Sequence, residues 1–136
     1  MIAEKVLVLD AELKTMLTVI RSLAKYGLRV IAISNGKTCG YFSKYCWKRF
    51  DFSEFPLSIK FDAIGKIIEM EEDDAVFAHL ESTIFGIYDI ADKIDANVKV
   101  IAPSRDVLEF ATNKYKVLKF AEKIGVKVPN TEIVTS

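Results

Sequence analysis

The chain has 136 residues, enough for one domain of ordinary size. Hydrophobic residues make up 51% and charged residues 28%, a balance that excludes an intrinsically disordered chain. Its 19 basic and 19 acidic residues cancel, so no global basic field for nucleic acid exists, and no apolar run approaches membrane-spanning length.

The start, Met1 to Val6, carries an acid early and only a short apolar run follows, which is not the pattern of a signal peptide. Val6-Leu7-Val8-Leu9, between Lys5 and Asp10, reads as a strand buried on both faces of a parallel sheet. Leu13, Met16, Leu17, Ile20, Leu23 and Ala24 fall at helical spacing, with Gly27 as the stop. Arg29 to Ser34 is a second β-branched run, closed by the turn pair Asn35-Gly36. Strand, helix and strand in about thirty residues make a βαβ unit.

The segment from Lys37 to Phe55 is less regular, with a short strand expected near Arg49 to Phe52. Cys39 and Cys46 lie in it without the His pair a zinc site needs, and they are expected as reduced thiols of a cytoplasmic protein. Lys44-Tyr45-Cys46-Trp47-Lys48-Arg49 mixes bases with aromatics, as single-stranded nucleic-acid sites do. The balanced charge and the lack of further basic segments nearby favour a solvated, partly packed loop.

Leu57 to Met70 returns to helical periodicity, and the acidic run Glu69 to Asp74 holds the turn out of that helix. Ala75 to Ala78 reads as a fourth strand, Ile84 to Ile94 as a helix face, and Val98 to Ile101 as a fifth strand ended by Pro103. Ser104 is placed to cap a short helix through Phe110. A last helix is expected from Asn113 to Ile124, capped by Gly125. The alternation predicts an α/β fold: an open, mainly parallel five-stranded sheet with helices on both faces and right-handed crossovers. Ligands of such sheets bind at the carboxyl ends of the strands.

The candidate site residues follow from that rule. Asp10 ends the first strand, where a dinucleotide-binding fold would place a Gly-rich turn; none is present, and neither is a P-loop. Its structural reading is a cap on the first helix. Glu81, Ser82 and Thr83 follow the fourth strand at the same sheet edge, with capping by Ser82 or Thr83 as the structural reading. His79 is the single histidine and is assigned a packing or hydrogen-bonding role. Receiver domains also carry acids after a first parallel strand, beside a phosphoacceptor Asp. Here Asp51 follows Trp-Lys-Arg-Phe, a poorly apolar strand, and only Asp10 and Glu12 are available as the acidic pair. Lys114 heads its helix, where a cation opposes the dipole, a local conflict that suggests function; on spacing alone it reads as a solvated lysine of a lysine-rich helix.

Taken in order, several elements resemble one domain type. They are Val6 to Ala11, the helix to Gly27, Arg29 to Ile33, the Ser43-Lys44-Tyr45-Cys46 loop, the strand Ala75 to Ala78 with Glu81, and Asn113-Lys114 through Gly125 to Thr131. Together they resemble the Rossmann-like N-terminal (pre-ATP-grasp) domain of ATP-grasp ligases related to the carbamoyl-phosphate synthase large chain. The resemblance covers nearly the whole chain and is most specific in its last stretch. It implies ATP-dependent ligation of a carboxylate to an amine through an acyl-phosphate, with ATP and Mg²⁺ in the full-length enzyme. It implies that Lys114 contacts ATP phosphate, that Asp10, Glu81 and Ser82 line the substrate wall, and that this chain holds no catalytic or metal-binding residue of its own. The more usual Asp before the lysine is Asn113 here. The resemblance places the domain at 1–130 and the start of a linker at 131–136, leading into an ATP-grasp domain that is the expected partner. The 136 residues alone are then expected to be inactive. Their docking face for that domain would let them pair as homodimers, with no nucleic acid or membrane involved. The alternative is a stand-alone small-molecule-binding or receiver-like regulatory domain.

Overall fold

A computed structural model describes residues 4–132. The expected linker positions 133–136 lie outside the described residues. The chain divides into two compact units, Met1–Ala102 and Pro103–Ser136.

The first unit contains β1 (Lys5–Val8), α1 (Lys14–Lys25), β2 (Arg29–Ser34), β3 (Cys46–Asp51), α2 (Leu57–Glu71), β4 (Ala75–Phe77), α3 (Glu81–Asp89) and β5 (Lys99–Ile101). All four strand pairings are parallel, in the order β3-β2-β1-β4-β5. β1 is therefore central, which explains why its residues are apolar on both faces. Val6 and Val8 point to one face, with Val30, Ala32, Met16 and Ile20. Leu7 and Leu9 alternate to the other face, in register with Ile31 and Val76. α1 covers the first face; Ile64 and Ile68 of α2 and Ile84 and Ile87 of α3 are buried on the second side.

The strand order decides one open alternative. Receiver-type sheets run 2-1-3-4-5, with the third strand inside. Here β3 is an edge strand, so Asp51 lies two strands from the acids after β1. Its carboxylate instead accepts from Ser53 N at 2.9 Å and Gly36 N at 3.0 Å. The Ser53 backbone and side-chain contacts hold its pKa below the ordinary carboxylate range. The receiver reading is thereby corrected. β3 also begins earlier than the sequence suggests, at Cys46, because register with β2 is set by neighbours remote in sequence.

Among the described residues, three helices end in the same backbone motif. After α1, Gly27 N bonds Ala24 O and Leu28 N bonds Leu23 O, with Gly27 at φ +102°. This is the Schellman arrangement, in which the residue after the left-handed one is usually apolar and packs back on the helix. α2 repeats it with Glu72 at φ +53° and Asp73 N bonded to Ile68 O. Here the left-handed residue is not Gly, and the residue turned inward is an acid.

Two glycines are fixed by close approach. A Cβ on Gly40 would lie 1.9 Å from the backbone oxygen of Ala11, and one on Gly86 would lie 2.0 Å from the Phe61 ring. The first neighbour is backbone of the β1–α1 loop; the second is a half-buried ring that can turn away. Gly40→Ala is expected to cost about 3 kcal/mol, and Gly86→Ala about 1 kcal/mol, offset by better helix propensity. Urea unfolding of both variants measures the difference; a Gly40→Ala protein as stable as the parent would contradict the packing.

The second unit holds α4 (Arg105–Thr112) and α5 (Lys114–Lys123). Asn113 caps α5 by accepting from Lys116 N at 3.0 Å. Gly125, at φ +83°, closes it in the third Schellman motif, with Val126 N bonded to Ala121 O. Ser104 precedes α4 as expected but makes no side-chain cap bond.

Candidate functional site

The carboxyl ends of β1, β2 and β4 meet around Asp10. The chain leaves β1 with Leu9 N bonded to Phe77 O at 2.8 Å and Ala11 N bonded to Ile33 O at 3.0 Å. Between them Asp10 adopts φ +56°, a left-handed conformation that Asp tolerates better than most residues. The turn drives its side chain inward, where it is only 4% exposed.

There the Asp10 carboxylate accepts three hydrogen bonds. His79 N and Leu80 N donate to Oδ2 at 3.0 and 2.9 Å, and Thr83 Oγ1 donates to Oδ1 at 2.7 Å. These groups form the entry and first turn of α3, whose own leading residue, Leu80, offers no side-chain cap. The structural reading of Asp10 as a cap on α1 is thus corrected. Leu13 stands in the N-cap position of α1 and makes no side-chain cap bond, and Asp10 secures a helix seventy residues away in sequence. The physical reason is its left-handed backbone, which turns the carboxylate toward β4.

Glu81 and Ser82 sit in the first turn of α3 and are exposed at this same edge. Asp10 thus brings both to the carboxyl end of the sheet while its own oxygens are occupied. Beside them lies a polar chain the sequence did not reveal. Glu12 accepts from Asn35 N at 2.9 Å and Asn35 Nδ2 at 2.8 Å, and Lys60 Nζ donates to Asn35 Oδ1 at 2.9 Å. Asn35 had signalled only a turn, and Lys60 carries no local sign that it reaches the loop after β2.

The small cleft among Leu9, Asp10, Glu12, Ile33, Asn35, Lys60, Ile64 and Thr83 measures about 10 Å³, room for one water. Around Asp10 the carboxyl edge of this unit is therefore shallow. A larger cleft, about 360 Å³, opens among Gly65, Asp73, Lys93 and Val98. It sits where β4 and β5 begin, the end of the sheet opposite to that used by ligands of open α/β folds.

In the second unit, Lys114 is the first residue of α5 and is exposed. The first turn contains no acid, so its positive helix end and the Lys114 ammonium reinforce one another. Such a terminus suits a phosphate. Among the described residues, no group of three or more His, Cys, Asp or Glu side chains is arranged to hold a metal ion. No helix among them is long and apolar enough to cross a membrane. Both cysteines are free; Cys46 is buried, which raises its thiol pKa against the opposing charge of Arg49.

No family model and no curated protein matches the chain. Solved structures do. The biotin carboxylase domain of a single-chain bacterial carboxylase superposes with a TM-score of 0.72 at 16% identity, covering 98% of this chain and 32% of that one. A complex of Campylobacter jejuni biotin carboxylase with β,γ-ATP gives 0.68 at 18% identity, over 92% and 29% of the two chains. The biotin carboxylase domain dimer of Hydrogenobacter thermophilus 2-oxoglutarate carboxylase, with MgADP, ADP and bicarbonate, gives 0.66 at 18% identity, over 90% and 28%.

The chain therefore shares its fold, a five-stranded parallel α/β sheet with helices, with a part of these biotin carboxylase domains. The chain spans about a third of the length of these solved chains.

Proposed function

We propose that the chain is the substrate-side domain of an ATP-dependent ATP-grasp ligase that joins a carboxylate to an amine or similar nucleophile. The supporting observation is the agreement of fold, over 90% and 92% of the chain, with domains solved in nucleotide complexes. In this reading ATP activates the carboxylate as an acyl-phosphate in a further domain, which also supplies the Mg²⁺ ligands. Lys114 contacts ATP phosphate from the α5 terminus. Glu81 and Ser82 present acceptor and hydroxyl groups to a small carboxylate or amine, and Asp10 holds the α3 turn that carries them. The shallow carboxyl edge fits a half-site closed by that partner domain. The 136 residues alone are then inactive, the domain boundary falls at about 130, and the protein works in the cytoplasm. Homodimer formation belongs to the same reading.

ADP release by the natural polypeptide that carries this domain, assayed across carboxylate and amine pairs, is the test. Lys114→Ala is expected to lower kcat/KM for ATP by about tenfold to a hundredfold, the worth of one charge-assisted phosphate contact. Unchanged ATP kinetics in that variant would remove Lys114 from the site. Absence of ADP release with every pair would overturn the ligase reading itself.

A further inference from the structure

The β3 edge of the first unit gathers charge in a way its fold does not use. The register passes from Val30 opposite Cys46 to Ile31 opposite Lys48, so Trp47 is an extra residue in a β-bulge. Bulges re-aim side chains, and Trp47 is left 45% exposed. Cations from three strands surround its ring: Lys48 at 4.7 Å, Arg29 at 5.3 Å and Lys5 at 5.7 Å from the centroid. The pattern repeats beside it. Lys25 and Lys44 lie 5.9 and 5.5 Å from the Tyr45 ring, and Arg49 lies 5.9 Å from Tyr41.

Two of these cations have internal partners. Lys48 pairs with the Glu71 carboxylate at 2.6 Å, and the Lys5 ammonium donates to the Glu71 backbone oxygen. Lys25, Arg29, Lys44 and Arg49 are exposed, and among the described residues none has a carboxylate partner. A chain of zero net charge thus holds four uncompensated cations on one edge, each steadied over an aromatic face. That steadying lowers the ordering cost of receiving an anion.

We infer that this edge is a docking surface for an acidic protein segment, whose carboxylates supply the counter-ions that Lys25, Arg29, Lys44 and Arg49 lack. A nucleic acid fits less well. Base stacking needs an open ring face, and the cations of the protein itself crowd these rings. Protection against edge-to-edge pairing explains the Lys and Arg on β3, but not the convergence of cations from α1 and β2.

Trp47 is the sole tryptophan, so its emission reports on the surface directly. Titrating the full 136-residue chain with a decaglutamate peptide is expected to give a saturable emission change. The affinity should fall at least about tenfold when salt rises from about 0.05 M to about 0.5 M. The Arg29→Gln/Arg49→Gln double variant should bind at least about tenfold more weakly, with its circular dichroism unchanged. No emission change, or equal binding by the double variant, overturns the proposal, as does tighter binding of a single-stranded oligonucleotide of equal charge. Should the double variant unfold, the parent's salt dependence decides, and a salt-independent affinity overturns the inference.

Discussion

Replacing Asp73 with Asn is expected to make the protein more stable at pH 8 by up to about 4 kcal/mol, and to leave it nearly unchanged at pH 4. Asp73 is 4% exposed, and neither of its carboxylate oxygens has a hydrogen-bond partner. It follows the left-handed residue of the α2 Schellman motif, where α1 places Leu28 and α5 places Val126. Burial, first, and then the nearby Glu71 carboxylate push its pKa up to about 7; Asp74 adds to this, and Lys5 and Lys48 oppose it.

The sign follows from proton binding. Between the ordinary value of 3.8 and about 7, the folded chain keeps a proton that the unfolded chain has released. Stability from this group is complete below the lower value and is lost as pH rises through the upper one. Asn keeps the shape without the charge, so the variant's urea midpoint should not decline between pH 5 and pH 8 through this group. An identical pH slope in parent and variant would mean that Asp73 ionises like a solvated acid. Glu72→Gly, at the left-handed position beside it, should add about 1 kcal/mol at every pH.

Asp10→Ala is expected to destabilise the first unit by about 3 kcal/mol. It strands two backbone N–H groups and the Thr83 hydroxyl, and it places Ala at φ +56°. Asp10→Asn should cost less, since Asn tolerates that backbone and retains an acceptor oxygen. Thermal unfolding ranks the three proteins. A positioning role predicts that Asp10→Asn, at a temperature where it stays folded, leaves substrate KM nearly unchanged. A large rise in KM without loss of stability would instead place Asp10 against the substrate.

The elements of the sheet were legible because each carries a local cause. Val6 to Leu9 is apolar without alternation, as a strand covered on both faces must be. Gly27 and Gly125 stand where a left-handed residue ends a helix. β3 was legible only in part, because half of its side chains are polar edge groups and its start is fixed by pairing with β2. The end of α2 showed no such glycine; a left-handed Glu72 and a buried Asp73 are not choices that local propensity favours.

At the candidate site, sequence reasoning placed Asp10, Glu81 and Ser82 at one sheet edge because each follows a strand of an expected parallel sheet. It could not say that Asp10 is consumed by α3, nor that Lys60 reaches Asn35, because those bonds join residues far apart in the chain.

The sequence by itself determined the alternation of strands and helices and the positions of most turns, through hydrophobic period and glycine placement. Strand order, the edge location of β3, the sealing of Asp73 and the gathering of cations around Trp47 were decided only by tertiary structure. Each depends on which distant segments share a neighbour, and side-chain pattern along one strand carries no record of that.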